Sequence, residues 1–145
     1  MSADNGPSRV IRPSGPEVLD WLKERQDDLL EALRQLTEAE SPSDEPETTR
    51  EARELIAERL DALGYRVRRV PGRSSGGMLF AVPRHRRRGR PVQLILGHYD
   101  TVWPSGTLAN MPWSVEGATV RGPGVYDMKA GIVQATLALG VLRDF

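Results

Sequence analysis

The chain contains no cysteine among its 145 residues. This absence excludes disulfide scaffolds and zinc sites built from thiolates. Histidine, aspartate and glutamate are left as the side chains that could ligate a metal ion, and there are only 2 histidines.

An excess of charge is absent as well, since 20 basic and 20 acidic residues give a formal net charge of zero. Overall charge therefore gives no reason to expect a nucleic acid or an anionic membrane as partner. The arginine-rich residues 83–91 are interpreted as a solvated loop between strands. The alternative is a phosphate or nucleic-acid contact through Arg86, Arg87 and Arg88, but the loop has no aromatic residue to stack on a base.

Long apolar runs are also missing from the sequence. No run approaches the roughly 18 apolar residues of a membrane span, and the polar residues 1–15 lack the apolar core of a signal peptide. Their prolines and small polar residues predict a flexible leader. We therefore expect a cytoplasmic protein with no membrane partner, in which the folded part begins at residue 16.

The spacing of the apolar residues predicts an α/β protein with two helices, then a mixed β-sheet and a buried helix. The first helix is expected from residue 16, with Pro16 in its first turn, to about residue 39. Thr48 or Thr49 can cap the second helix, and Gly64 ends it.

Strand patterns follow the second helix. They lie at residues 65–70, 78–82 and 92–96, and the last of these reads as a buried interior strand. A small hairpin is expected at residues 114–121, with its turn near Gly117. Residues 128–142 are apolar on nearly every face, which is typical of a helix inside a larger body.

His98 and Asp100 come directly after the predicted strand 92–96. In open α/β sheets, ligands bind just beyond the carboxyl ends of the strands. Residues two apart in an extended chain point the same way, so the imidazole and the carboxylate can touch. A carboxylate that holds one ring N–H leaves the other nitrogen free for a metal ion. The sequence therefore predicts half of a metal site here.

Asp127 is the candidate for the second half. It lies where a glycine-rich loop becomes the last helix, and the exposed N–H groups of a helix start stabilise a carboxylate. Each residue also has a simpler interpretation, since a lone histidine is most often structural, Asp100 could form a turn, and Asp127 could be a helix cap. Lys129 is expected to be a surface or helix-start cation. Trp103 and Trp113 are expected to pack in the core or line a cleft.

The chain resembles the M20 family of dinuclear zinc metallopeptidases, in its glutamate carboxypeptidase branch. The resemblance is carried by residues 94–102, by residues 121–131 (Arg-Gly-Pro-Gly-Val-Tyr-Asp-Met-Lys-Ala-Gly), by the two tryptophan-containing segments between them, and by Ser41-Pro42-Ser43 upstream. It implies a hydrolase of amide or peptide bonds with two Zn²⁺ ions, although Co²⁺ or Mn²⁺ would suit the same ligands. It further implies that His98 binds one zinc, that Asp127 bridges both, and that Asp100, in the catalytic site, orients His98. A cis peptide bond after Asp127 is implied too, whereas no substrate-binding residue can be assigned.

The family's remaining site residues have no counterpart in this sequence. The resemblance implies a downstream Glu-Glu pair that includes the general base, a further acidic ligand and a second histidine, yet only Asp144 follows Asp127. We therefore expect residues 16–145 to be an incomplete N-terminal portion of the catalytic domain, without the second, dimerisation domain. The chain alone should be inactive and bind zinc weakly, and its longer parent, a possible homodimer, should act on a small peptide or an N-acyl amino acid. The alternative is a non-catalytic truncated module that binds a partner.

Overall fold

A computed structural model describes residues 13–86 and 89–145. Most of the predicted leader, residues 1–12, and two residues of the arginine-rich loop, Arg87 and Arg88, lie outside the described residues. The described part contains both helices and strands, which confirms the α/β class.

From residue 13 onward, three helices precede the first described strand: α1 (Gly15–Lys23), α2 (Gln26–Glu38) and α3 (Arg50–Ala62). The prediction of one helix over residues 16–39 is therefore wrong, because Arg25 has non-helical backbone angles (φ −112°, ψ 16°). On the N-terminal side of this break Trp21 reaches the last helix, where its indole N–H donates to Asp144 at 3.2 Å. Pro16 lies in the first turn of α1, as expected.

The second predicted helix, α3, has the expected ends. Gly64 follows it in the left-handed region (φ 84°), which favours glycine. Thr49 is the N-cap residue, but its hydroxyl donates to the carbonyl of Pro46 at 2.7 Å rather than capping the helix N–H groups.

The strands form two separate antiparallel hairpins. β1 (Tyr65–Val70) pairs with β2 (Met78–Pro83), and β3 (Ser114–Glu116) pairs with β4 (Thr119–Arg121) around the predicted turn at Gly117. Each lies where the sequence predicts it. The expected single mixed sheet does not form among the described residues, which contain two hairpins instead.

The prediction of a buried interior strand at residues 92–96 is wrong for this structure. The segment has no regular secondary structure, and Leu94 and Leu96 are 73% and 79% exposed. A strand needs neighbours to complete its backbone hydrogen bonds and to cover its side chains. No strand of the described residues pairs with it.

The core lies between α2, α3 and the last helix, α4 (Ala130–Asp144). Its buried apolar residues are Ala32, Leu33, Leu36, Ala39, Ala52, Ile56 and Val133. The predicted last helix thus exists, but it is buried on one face only, at Val133, Thr136 and Gly140, while Leu142 is 75% exposed.

The segment Val125–Asp144 is long and apolar enough to cross a membrane, judged by length and composition alone. This differs from the expectation that no part of the chain approaches such a span. Core helices, which are mostly buried, pass the same test, whereas 22% of this segment is buried, and the helix packs against α2. The absence of a membrane partner stays a prediction.

Candidate metal centre

His98 and Asp127 meet in the folded chain although 29 positions separate them. The imidazole Nε2 of His98 lies 2.9 Å from Oδ1 of Asp127. Asp127 belongs to an irregular turn, Val125–Lys129, that precedes α4 and has non-helical backbone angles at Asp127 and Met128. The Asp127–Met128 peptide bond is cis, as the resemblance implies.

Two glycines lie where the turn approaches the His98 loop, and one of them is required there. Gly124 has a left-handed backbone (φ 71°), and a Cβ added there would overlap the Thr101 methyl group. A Cβ at Gly97, next to His98, would contact the Met128 thioether at 3.4–3.6 Å. The close approach at Gly124 therefore requires a residue without a side chain.

Asp100 contacts the other ring nitrogen of His98, with two groups. Nδ1 lies 3.0 Å from the backbone carbonyl oxygen of Asp100 and 3.4 Å from its Oδ1. The sequence predicts the carboxylate as the partner, but the carbonyl is nearer. Both groups accept hydrogen bonds, and either one favours a proton on Nδ1.

The electrostatic setting of His98 is anionic and open to water. The side chains of His98, Asp100 and Asp127 are 48%, 43% and 77% exposed. Burial acts to lower the pKa of His98, but the hydrogen bonds to the Asp100 carbonyl and the Asp127 carboxylate raise it above its ordinary value overall. A cation at this place, whether a proton or a metal ion, is therefore favoured by the two carboxylates.

Sequence reasoning missed Ser43, which holds Asp100. The Ser43 hydroxyl donates to Asp100 Oδ2 at 2.7 Å. The resemblance includes Ser41-Pro42-Ser43, but neither the periodicity nor the composition indicates that this loop meets residues 99–101.

Lys129 lies at the start of α4, which is one of the two placements that the sequence predicts, but it is not a surface cation. It is 1% exposed, and its Nζ donates to the carbonyl oxygen of Ala39 at 2.9 Å. Burial lowers its pKa to about 8, although the charge of nearby Glu40 acts in the opposite direction. Glu40 in turn accepts hydrogen bonds from the backbone N–H groups of Gly106 and Leu108 at 2.7 and 3.1 Å. Together these contacts join the Asp127 turn to the end of α2, and the end of α2 to the loop at residues 106–108.

The two tryptophans that were expected in the core or at a cleft differ from each other. Trp113 is half-buried and packs against the hydrophobic core, whereas Trp103 is 41% exposed.

The donor set of His98 and Asp127 fits a divalent cation in part. Zinc lies about 2.0–2.2 Å from histidine nitrogens and carboxylate oxygens, so two such ligands of one tetrahedral ion are roughly 3.4 Å apart. The observed separation of 2.9 Å is a hydrogen-bond distance, so the two side chains would move apart by about half an ångström to hold such an ion. Within residues 13–86 and 89–145, no group of three or more histidine, aspartate or glutamate side chains is placed to hold a metal ion. Zinc sites use at least three protein ligands, so the pair would be part of a site.

No family model matches the chain. A stretch of 125 residues, 84% of the chain, is 29% identical to carboxypeptidase G2 of Pseudomonas sp. (strain RS-16). The matched part corresponds to 29% of the length of that relative, so the chain spans less than a third of it. The similarity supports a distant, carboxypeptidase-like relationship.

Proposed function

We propose that this chain is the N-terminal part of a metal-dependent hydrolase of amide or peptide bonds. The observation that carries the proposal is the 2.9 Å contact between His98 Nε2 and Asp127 Oδ1. A hydrogen bond between exposed side chains contributes little to stability. An imidazole whose second nitrogen is held by Asp100 is, however, what a metal-bound histidine requires.

In this proposal His98 and Asp127 hold the metal, and Asp100 fixes the ring of His98. The M20 resemblance implies dinuclear zinc, which His98 and Asp127 would help to hold. When bound, such a centre supplies Lewis acidity, which polarises a carbonyl group and makes a water molecule more acidic. The chain's own residues contribute orientation and negative charge to that centre.

The proposed substrate is a small peptide or an N-acyl amino acid with a free carboxylate. Its support is the similarity to a carboxypeptidase, together with the resemblance to the glutamate carboxypeptidase branch. Because only two candidate ligands come together among the described residues, we propose that the general base and further ligands lie downstream in a longer polypeptide. The 145-residue chain alone is then inactive.

The metal-binding part of the proposal is tested by titrating the chain with Zn²⁺ and following the imidazole signals by NMR. The chain has 2 histidines, so the variants His98→Ala and His85→Ala assign both signals. We expect Zn²⁺ to shift the His98 signals with weak affinity. His98→Ala should abolish this binding, and the matched control His85→Ala, which removes an exposed loop imidazole, should keep it. Equal binding by both variants would refute the proposed ligand.

The catalytic part is tested on the product of the reading frame extended beyond Phe145. We expect that protein to release amino acids from N-acyl amino acids or dipeptides, to lose activity with a chelator, and to regain it with Zn²⁺, Co²⁺ or Mn²⁺. The 145-residue chain should show no activity in the same assay. Enzyme-like rates from the short chain would contradict its proposed incompleteness.

A second candidate function is a non-catalytic module that binds a protein partner. The observation in its favour is the exposed apolar segment at residues 92–96, which lacks regular structure. Under this function the chain would bind Zn²⁺ no better than its His98→Ala variant does.

A further inference from the structure

The loop that contains Ser41 and Ser43 runs beside the residues that follow His98. The backbone N–H of Thr101 donates to the Ser41 carbonyl at 2.8 Å, and the N–H of Ser43 donates to the Thr101 carbonyl at 2.9 Å. These two bonds form a parallel bridge between Pro42 and Thr101. The bridge fixes the register of the two segments, so each serine has a defined neighbour.

The two serines use their hydroxyl groups differently. Ser41 is 1% exposed, and its hydroxyl donates to the backbone carbonyl of Tyr99 at 2.7 Å. Ser43 is exposed, and its hydroxyl lies 2.7 Å from Oδ2 of Asp100 and 3.1 Å from the Thr101 carbonyl. The shorter contact, to a charged acceptor, is the stronger of the two. Ser43 thus binds a side chain that can rotate, whereas Ser41 binds fixed backbone.

The hydrogen bond from Ser43 restricts the orientation of Asp100. This carboxylate is 43% exposed and lies where it could turn into solvent. With Oδ2 held by Ser43, the other oxygen, Oδ1, faces Nδ1 of His98 at 3.4 Å. Ser43, Asp100 and His98 therefore form one chain of contacts that ends at Asp127.

This chain of contacts affects which nitrogen of a neutral His98 carries the proton. Asp100 favours the proton on Nδ1, whereas Asp127, 2.9 Å from Nε2, favours it on Nε2. Only a ring protonated on Nδ1 has a free lone pair on Nε2 for a metal ion. The Asp100 backbone carbonyl, 3.0 Å from Nδ1, stays in place when the side chain turns away, whereas the carboxylate oxygen at 3.4 Å does not. Loss of the carboxylate from its position therefore removes one of the two groups that favour the proton on Nδ1 and shifts the balance in part toward the tautomer that cannot bind metal through Nε2.

We propose that Ser43 is a positioning residue of the metal centre, which holds the Asp100 carboxylate against His98 and thereby keeps Nε2 free. The inference rests on the proposed function, because it takes His98 as a metal ligand through Nε2. The ligand of the proposed metal centre is a divalent cation, and the experiments use Zn²⁺ alone as the probe.

The test compares Ser43→Ala with the matched control Ser41→Ala in the 145-residue chain. Loss of groups that orient a metal-bound histidine costs about 10–100-fold in affinity. Ser43 contacts Asp100 and not the histidine itself. We therefore expect a smaller effect, roughly a threefold to tenfold rise in the Zn²⁺ dissociation constant. Ser41→Ala should lower the melting temperature more than Ser43→Ala but leave zinc affinity nearly unchanged. Ser43→Thr, which keeps a hydroxyl, should restore affinity, and Ser43→Cys, a weak donor of similar shape, should not.

A second readout needs no metal. The ¹⁵N shifts of the neutral His98 imidazole report its tautomer, and Ser43→Ala should move them toward protonation on Nε2, whereas Ser41→Ala should not. In an Asp100→Ala background, Ser43→Ala should have no further effect on either measurement, because the two residues act through one contact. Unchanged shifts and unchanged affinity in Ser43→Ala would overturn the inference. If the unaltered chain fails to bind Zn²⁺ while the tautomer still responds to Ser43, the proposed function fails and the positioning role of Ser43 stands.

Discussion

The buried ammonium group of Lys129 donates a 2.9 Å hydrogen bond to the carbonyl oxygen of Ala39, at the end of α2. This contact joins the turn that carries Asp127 to the helical core. Burial without a full ion pair disfavours the charged form of a lysine, which is why the pKa of Lys129 is lowered to about 8. The position of Asp127 therefore depends on Lys129, whose charged form is destabilised by burial.

The first prediction concerns the pH dependence of stability that Lys129 causes. The folded pKa, about 8, lies below the ordinary value of 10.5, so between these values the unfolded chain binds more protons than the folded chain. The free energy of unfolding should therefore rise with pH across this window, by at most about 1.4 kcal/mol per pH unit. The measurement is urea unfolding of the unaltered chain and of Lys129→Met from pH 7 to about pH 10.5 with a chelator present. Parallel curves for the two proteins would show that Lys129 does not titrate in this window.

A second prediction concerns Gly124, whose added Cβ would overlap the Thr101 methyl group in a left-handed backbone. Gly124→Ala should lower the free energy of unfolding by about 2–5 kcal/mol, because a left-handed residue costs about 1–2 kcal/mol and overpacking about 1–3 kcal/mol.

The matched control for Gly124 is Gly117→Ala in the β3–β4 turn. Gly117 is also left-handed (φ 59°), but its added Cβ would meet nothing within 4 Å. Only the backbone cost of about 1–2 kcal/mol should then appear. Equal losses from the two substitutions, measured by chemical unfolding, would mean that the Asp127 turn has room to move away from Thr101.

Local signals in the sequence were sufficient for most of the secondary structure. Gly64 ends α3 because a left-handed residue is required there, and the β3–β4 hairpin follows from a glycine turn between short alternating segments. The prediction of a buried strand at residues 92–96 is wrong for a physical reason. Their apolar run matches a buried strand, but burial depends on neighbouring strands, and the described residues provide none.

In the candidate site, too, local sequence patterns predict some residues, whereas contacts between residues far apart in the sequence are not predicted. The sequence predicts His98 from its place after residues 92–96 and Asp127 from its place at a helix start, and the resemblance points to both. The fold brings the two together although residues 92–96 do not form the expected strand. Their role as metal ligands stays a prediction. Ser43 and the burial of Lys129 depend on partners 57 and 90 residues away. No local pattern in a single sequence indicates such contacts.

A third prediction tests whether residues 92–96 are exposed in solution. Leu96 is 79% exposed, so Leu96→Lys should change the free energy of unfolding by less than about 0.5 kcal/mol and should reduce self-association. Leu36, which is 0% exposed, provides the contrast, since Leu36→Ala should cost about 2–5 kcal/mol. A large loss of stability in Leu96→Lys, measured by urea unfolding, would indicate that the segment is buried as the sequence predicts.

The last prediction separates two roles of Asp127, as an ion-pair partner and as a metal ligand. The side chain is 77% exposed, and exposed ion pairs contribute about 0–1 kcal/mol. Asp127→Asn should therefore change metal-free stability very little. Zinc at ten times its dissociation constant should stabilise the unaltered chain by about 1.4 kcal/mol, which is the linkage energy of ligand binding to the folded state alone.

Thermal unfolding with and without Zn²⁺ measures both effects in one experiment. The substituted asparagine side chain keeps the shape of aspartate but lacks its negative charge, so the zinc-induced rise in melting temperature should be lost in Asp127→Asn. Asp144→Asn is the control, since Asp144 is bonded to Trp21 and Arg143 on the far end of α4. It should retain the full zinc effect. If Asp127→Asn also retained that effect, Asp127 would be a structural partner of His98 and the metal would have to bind elsewhere.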